Sequence, residues 1–177
     1  MAHIHTGPGQ HDFTASAYIV RTDLPEPAII LHKHRILNQW MQFGGHVELH
    51  EDPWQALTHE IREESGYELS QLKLLQPDIR KAVPTDDVTH HPLPANIGTA
   101  KFGGIDHYHT DIAYAFTTGE DPAGKSGDGE SSEFRTFTRD ELAALTKDEI
   151  PPNVQQVALI ILDDYVKNWK TVPATDI

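Results

Sequence analysis

The stretch Asp52 to Gly66, DPWQALTHEIREESG, constrains this chain more than any other part of it. Asp52 suits a helix N-cap, Pro53 the first helical position, and Gln55 the third position of a capping box. Gly66 supplies the stop, as a glycine just past the last turn commonly does. The spacing predicts a helix over Pro53 to Ser65. Trp54, Leu57 and Ile61 recur at i, i+3 and i+7, an apolar stripe that needs a core to cover it. Glu60, Glu63 and Glu64 recur at i, i+3 and i+4 and project from a different side. Three like charges in one patch repel each other, and a hard, oxygen-seeking cation such as Mg²⁺ would reverse that cost. The ordinary alternative is a solvated acidic face.

The rest of the chain supplies surfaces for that stripe. Phe13 to Arg21 alternates as a strand does, and Ala28 to His34 reads as a more interior strand. Asn38 to Phe43 is short and aromatic, with Gly44-Gly45 expected to end it. Asp106 to Thr117 and Glu133 to Phe137 read as further strands, and Arg139 to Leu145 as a short helix. Asn153 to Lys170 carries Val154, Val157, Ala158, Ile161 and Tyr165 at helical spacing, which predicts a long C-terminal helix. Gln76 to Ile105 shows little periodicity and is expected to be a long loop. This order implies a mixed α/β or α+β sandwich. The 177 residues fit one domain, 1–177, with an N-terminal extension over about residues 1–12.

Composition removes several functions. The 27 acidic residues against 14 Lys and Arg give a net charge of −13, so neutralising a long polyanion or an anionic membrane is disfavoured. A small phosphorylated ligand remains compatible, because divalent cations can supply positive charge. With no cysteine there are no disulfides, thiolate metal sites or cysteine nucleophiles. No apolar run approaches the length of about 20 residues needed to span a bilayer. The N-terminus MAHIHTGPGQHDF lacks the pattern of a secretory signal, so a cytoplasmic location is expected.

Gly45-His46-Val47-Glu48-Leu49-His50-Glu51, followed by His59-Glu60-Ile61-Arg62-Glu63-Glu64-Ser65-Gly66-Tyr67, closely resembles the Nudix box of Nudix hydrolases. Gly45, Glu51, Glu60, Ile61, Glu63, Glu64 and Gly66 all match at the required spacing. At average usage, six fixed Gly and Glu positions would coincide in on the order of one chain in 100,000. His59 stands where the family has Arg, and Tyr67 where it has an aliphatic residue. Trp40 to Glu48 looks like the strand and loop that lead into the family's box, and Glu133 to Leu142 like its late strand-to-helix segment, with Thr136 where an aromatic is usual. The resemblance implies a Nudix fold, a mixed sheet between helices.

It also implies an activity: divalent-metal-assisted attack of water on the pyrophosphate linkage of a nucleoside diphosphate derivative. The metal, Mg²⁺ or Mn²⁺, would be held by the Gly45 carbonyl with Glu60, Glu63 and Glu64. Glu51 would orient the site, and His59 would do part of the missing arginine's work. One of the box glutamates, or a loop acid such as Glu130 or Glu133, would be the general base. The alternative is a catalytically weak nucleotide-binding module, but such a module would be expected to lose box acids, and here all are kept. The isopentenyl-diphosphate isomerases of the same superfamily rely on a cysteine that this chain lacks. ADP-sugar, dinucleoside polyphosphate and nucleoside triphosphate substrates stay open, as does a homodimer.

Two further groups stand out. His107, His109 and Asp111 alternate along one strand and so share a face. They resemble a two-histidine, one-carboxylate metal site, or could line the substrate pocket, or could be the polar face of a half-buried strand. Glu133 is a further substrate-side candidate. Lys33, His34, Arg35, Arg80 and Lys81 are candidate phosphate contacts.

Overall fold

Alternation along a single central strand organises the molecule. The computed structural model describes residues 7, 9–78, 87–101 and 107–177, so Arg80 and Lys81 lie outside the described residues. Strand β1 (His11–Arg21) lies parallel to β7 (Tyr108–Thr118) over its whole length, from His11 opposite Tyr108 to Arg21 opposite Thr118. Its other edge is shared: β4 (Phe43–His46) pairs with Thr14 to Ala17, and β2 (Ala28–Lys33) pairs with Ile19 to Arg21. Strands β3 (Trp40–Met41) and β8 (Phe134–Thr138) flank β2. Strands β5 (Lys73–Gln76) and β6 (Asn96–Lys101) pair with β7, and β9 (Lys170–Pro173) extends β5.

Because side chains alternate across a strand, one apolar sequence feeds two cores. Ala15, Ala17 and Ile19 of β1 join Tyr114 and Phe116 of β7 on one face. There they meet Leu57 and Ile61 of helix α1 (Pro53–Glu60) and its continuation Ile61–Ser65, which has the wider π spacing. Both of these aliphatic side chains are 1% exposed, and burying each stabilises the fold by about 1.5–3 kcal/mol. Tyr18 and Val20 point the other way, with Ala113 and Ala115, against Leu142 of α2 (Arg139–Ala144) and Val154 and Ala158 of α3 (Pro152–Ile160). The result is a mixed sheet between helices, an α+β architecture.

The start of α1 forms as its sequence implies: the Asp52 carboxylate accepts from the N–H groups of Trp54 and Gln55, and the Gln55 side chain returns the bond. Several expectations need correction. Gly44-Gly45 does not end a strand but lies inside β4. The segment Gln76 to Ile105 is not one structureless loop, since Asn96–Lys101 forms β6. The C-terminal helix runs through a π-type stretch, Ile161–Tyr165, and the closing turn Val166–Asn168, and stops before Lys170, which begins β9. Tyr67 is buried, 2% exposed, and its hydroxyl donates to the Glu120 carbonyl at 2.9 Å. An aromatic therefore fits where an aliphatic residue was expected.

Candidate active site

Helix α1 and its π continuation set the box acids against β4. The Glu64 Oε2 accepts from the Gly44 N–H at 2.7 Å, and Oε1 lies 3.9 Å from His32 Nδ1. Glu60 presses its carboxylate on the Cα of Gly45 so closely that any Cβ there would overlap it. Glycine leaves room for this approach, and a Cβ would push the carboxylate end of the Glu60 side chain aside. Glu63 stays at the exposed side, where His59 Nε2 meets Oε1 at 3.0 Å. The other nitrogen of His59, Nδ1, lies 3.5 Å from Glu51 Oε1. His59 thus bridges two box acids.

The electrostatics follow from this crowding. Burial, with the neighbouring Glu63 charge, pushes the Glu60 carboxyl up to about 7. Burial likewise pushes Glu64 up to about 8, against the Gly44 hydrogen bond and with Glu60 and Glu130 adding to the rise. His32 is held down at about 4 by burial and by His34, so the imidazole beside Glu64 is neutral at pH 7. Glu130, from the acidic Gly-rich loop, raises both Glu60 and Glu64 and so belongs to the same patch. That loop is tied to the helix end: the Gly127 N–H donates to the Glu63 carbonyl at 2.7 Å, and the Gly124 N–H to Gly66 at 2.9 Å.

Beside this patch opens a cleft of about 320 Å³, lined by Lys33, His34, Arg35, Asn38 and Glu130 to Glu133. Lys33, His34 and Arg35 are the three candidate phosphate contacts on the described part of the chain. Arg35 is held by a hydrogen bond from Nη1 to the Gly129 carbonyl. Glu133 is exposed and lines the cleft.

The histidine group needs one correction. His107 and His109 do meet, Nε2 to Nε2 at 2.8 Å, but Asp111 is engaged elsewhere. Its two oxygens accept from the hydroxyls of Thr14 (2.9 Å) and Ser16 (2.7 Å), and burial raises its carboxyl despite those bonds. The carboxylate beside the histidines is Asp12 of β1, whose Oδ2 lies 3.9 Å from both His107 Nε2 and His46 Nε2. The sequence reading missed Asp12 and this use of His46. Strand alternation did carry the signal, since Asp12 shares a face with Thr14 and Ser16, but pairing with β7 is long-range. His109 is pushed below its usual range by burial and by His46 and His107.

A NUDIX domain family model matches residues 12–158. Among solved structures, a hydrolase of the NUDIX family from Clostridium perfringens superposes with a TM-score of 0.66 at 24% identity, covering 85% of this chain and 95% of that one. A NUDIX hydrolase from Nitrosomonas europaea gives 0.60 at 17% identity, covering 94% and 95%. The dihydroneopterin triphosphate pyrophosphohydrolase of E. coli gives 0.60 at 15%, covering 88% and 95%. A search of curated protein sequences gave no significant match. These structures share the fold, and with a family model covering most of the sequence, the chain belongs to the Nudix hydrolase family.

Proposed function

We propose that this chain hydrolyses the pyrophosphate linkage of a nucleoside diphosphate derivative with the help of a divalent cation. The observation that carries this reading is the patch itself: Glu60 and Glu64 are pressed on the β4 glycines, with Glu63, Glu51 and Glu130 around them. Carboxylates driven up to about 7 and about 8 by burial and mutual repulsion form a site that wants positive charge. The donors are all oxygens, which suits Mg²⁺ or Mn²⁺. The Gly45 carbonyl with Glu60, Glu63 and Glu64 would hold it.

A bound dication lowers the pKa of water and offsets charge on the transferring phosphoryl group. The chain's own groups do the rest. Gly44 N–H fixes Glu64, and His59 with Glu51 fixes Glu63, so the acids are held before substrate arrives. Glu130, or one of the box glutamates, takes the proton of the attacking water as the phosphorus–oxygen linkage breaks. Lys33, His34 and Arg35 line a cleft of suitable size to receive the substrate's phosphates.

The test is a hydrolysis screen over ADP-sugars, dinucleoside polyphosphates and nucleoside triphosphates, with Mg²⁺ and with Mn²⁺. We expect a nucleotide product from at least one class. Glu64→Gln keeps the shape and removes the carboxylate that a bound cation would draw into its charged form, so turnover should fall by orders of magnitude while the protein stays folded. Full activity in that variant, or no turnover of any class by the parent protein, would overturn the reading.

A further inference from the structure

We propose that Asp12, His46, His107 and His109 form a second metal site, for a borderline transition-metal dication such as Zn²⁺, on the sheet face opposite α1. The placement follows from register. In the parallel β1–β7 pair Asp12 stands beside His109, with His107 two residues earlier on the same face, and β4 sets His46 opposite Thr14. Ala15 and Ala17, at the intervening positions, face α1 instead. The glutamate patch and the histidine group are therefore on opposite sides of the sheet.

The distances suit one small ion. The donor atoms of Asp12, His107 and His109 all lie within 4.8 Å of one another. In a tetrahedral site with bonds of about 2.0–2.2 Å, neighbouring donors stand about 3.4 Å apart. The observed contacts bracket that value: 2.8 Å between the two Nε2 atoms and 3.9 Å from Asp12 Oδ2 to His107 and to His46. His46 stands at the edge of this three-residue group: its Nε2 lies 3.9 Å from Asp12 Oδ2, and its ring meets that of His109 edge-on, with centroids 4.8 Å apart. Asp12 and His107 are 4% and 2% exposed, so this carboxylate and imidazole are removed from bulk water, where groups of this kind are paired or coordinate metals.

The short imidazole–imidazole contact holds one shared proton; a dication bound there would take both Nε2 lone pairs, with that proton moving to Nδ1 of its ring or to solvent. His107 Nδ1 is buried with no hydrogen-bond partner among the described residues, so the contact through Nε2 is the ring's polar engagement there.

The donor set separates this site from the first. Imidazoles with one carboxylate favour Zn²⁺, Co²⁺ or Ni²⁺, whereas an oxygen-only patch favours Mg²⁺. A metal here ties β1, β4 and β7 together at their shared end. His46 directly follows Gly45, whose backbone receives Glu60, so the ion would also steady the strand on which the glutamates rest.

The experiment uses the full chain, stripped with a chelator and held in excess Mg²⁺, and titrates Co²⁺ while recording the visible spectrum. Tetrahedral Co²⁺ absorbs far more strongly than octahedral Co²⁺, so the histidine site has its own signature. We expect one equivalent of the tetrahedral form, bleached by Zn²⁺, and a rise in Tm with Zn²⁺ beyond that given by Mg²⁺. Glu64→Gln should keep the spectrum, while His46→Gln and His109→Gln, checked for fold by circular dichroism, should weaken Co²⁺ binding by at least about a hundredfold. No tetrahedral spectrum in the parent protein overturns the proposal. So does a spectrum that survives in folded His46→Gln and His109→Gln, or one abolished by Glu64→Gln. Should neither histidine variant fold, the parent and Glu64→Gln spectra still decide. None of these readouts depends on hydrolysis, so failure here is separate from failure of the proposed activity.

Discussion

His59 shows how one departure from a family pattern can be absorbed by geometry. Its imidazole reaches both Glu63, at 3.0 Å, and Glu51, at 3.5 Å, and so holds two acids whose charges would otherwise push apart. The side chain is 55% exposed, so the pair adds little to stability in water. Its worth lies in orientation. A guanidinium at this position would bring a permanent charge and a planar fork that grips carboxylate with two parallel bonds. His59→Arg is therefore expected to match or exceed the parent kcat, while His59→Ala should lower kcat by about tenfold to a hundredfold with Tm nearly unchanged. Steady-state kinetics across a Mg²⁺ titration, with a thermal melt of each variant, would check this. An alanine variant at full kcat would show that Glu63 needs no such holder. The contact with Glu63 was legible in the sequence as an i, i+4 pair, but the one with Glu51 was not. It depends on the path of the turn between β4 and α1.

At the scale of elements, the end of α1 matters as much as its start. Gly66 has φ +73°, a left-handed conformation, and a Cβ there would run into the carbonyl of Gly124. Gly66→Ala should therefore cost about 1–3 kcal/mol from the backbone conformation alone, more with the clash, and should pull the acidic loop and Glu130 away from the patch. A lower Tm together with weaker turnover would be the signature. An unchanged melt would mean that the loop docks by other contacts. Helix α2 offers a gentler test. The Glu141 carboxylate accepts from the Thr138 N–H at 3.0 Å and from Arg135 at 3.0 Å, and these bonds hold its carboxyl below the usual range. A carboxyl depressed in the folded state stabilises above its unfolded value and loses that contribution as pH falls. The Tm gap between the parent and Glu141→Gln should thus narrow below about pH 4.5; a gap constant from pH 7 to pH 3 would rule the effect out. Gly66 was expected as a helix stop, whereas the Thr138-x-x-Glu141 box, equally local, went unread. The strands that sequence reading missed lack such marks. Strand β6, NIGTAK, is exposed along most of its length and carries a glycine, and β9, KTVP, is four residues ending in proline, so neither shows an apolar alternation.

The whole molecule places its charge at odds with the ligand proposed for it. Periodicity was enough to foretell the sandwich, because Ala15, Ala17 and Ile19 against Tyr18 and Val20 already encode two cores. It was not enough to pair Asp12 with His107, or to bring Glu130 to Glu60, since both depend on segments roughly 70–100 residues apart meeting in space. Nor did net charge show where the cations would gather. A chain of net charge −13 repels a polyphosphate at long range, yet Lys33 and Arg35 stand together in the cleft. The two effects differ in reach. With a screening length of about 30 Å at 0.01 M salt and about 10 Å at 0.1 M, added salt removes the global repulsion before it removes a contact of a few ångströms. At saturating Mg²⁺, kcat/KM for an anionic substrate should therefore rise as inert salt increases over that range. Lys33→Ala with Arg35→Ala should lower kcat/KM at every salt concentration and make the rise steeper, since only repulsion is left to screen. A kcat/KM that falls with salt in the parent protein would mean that the local cations, and not the net charge, govern substrate approach.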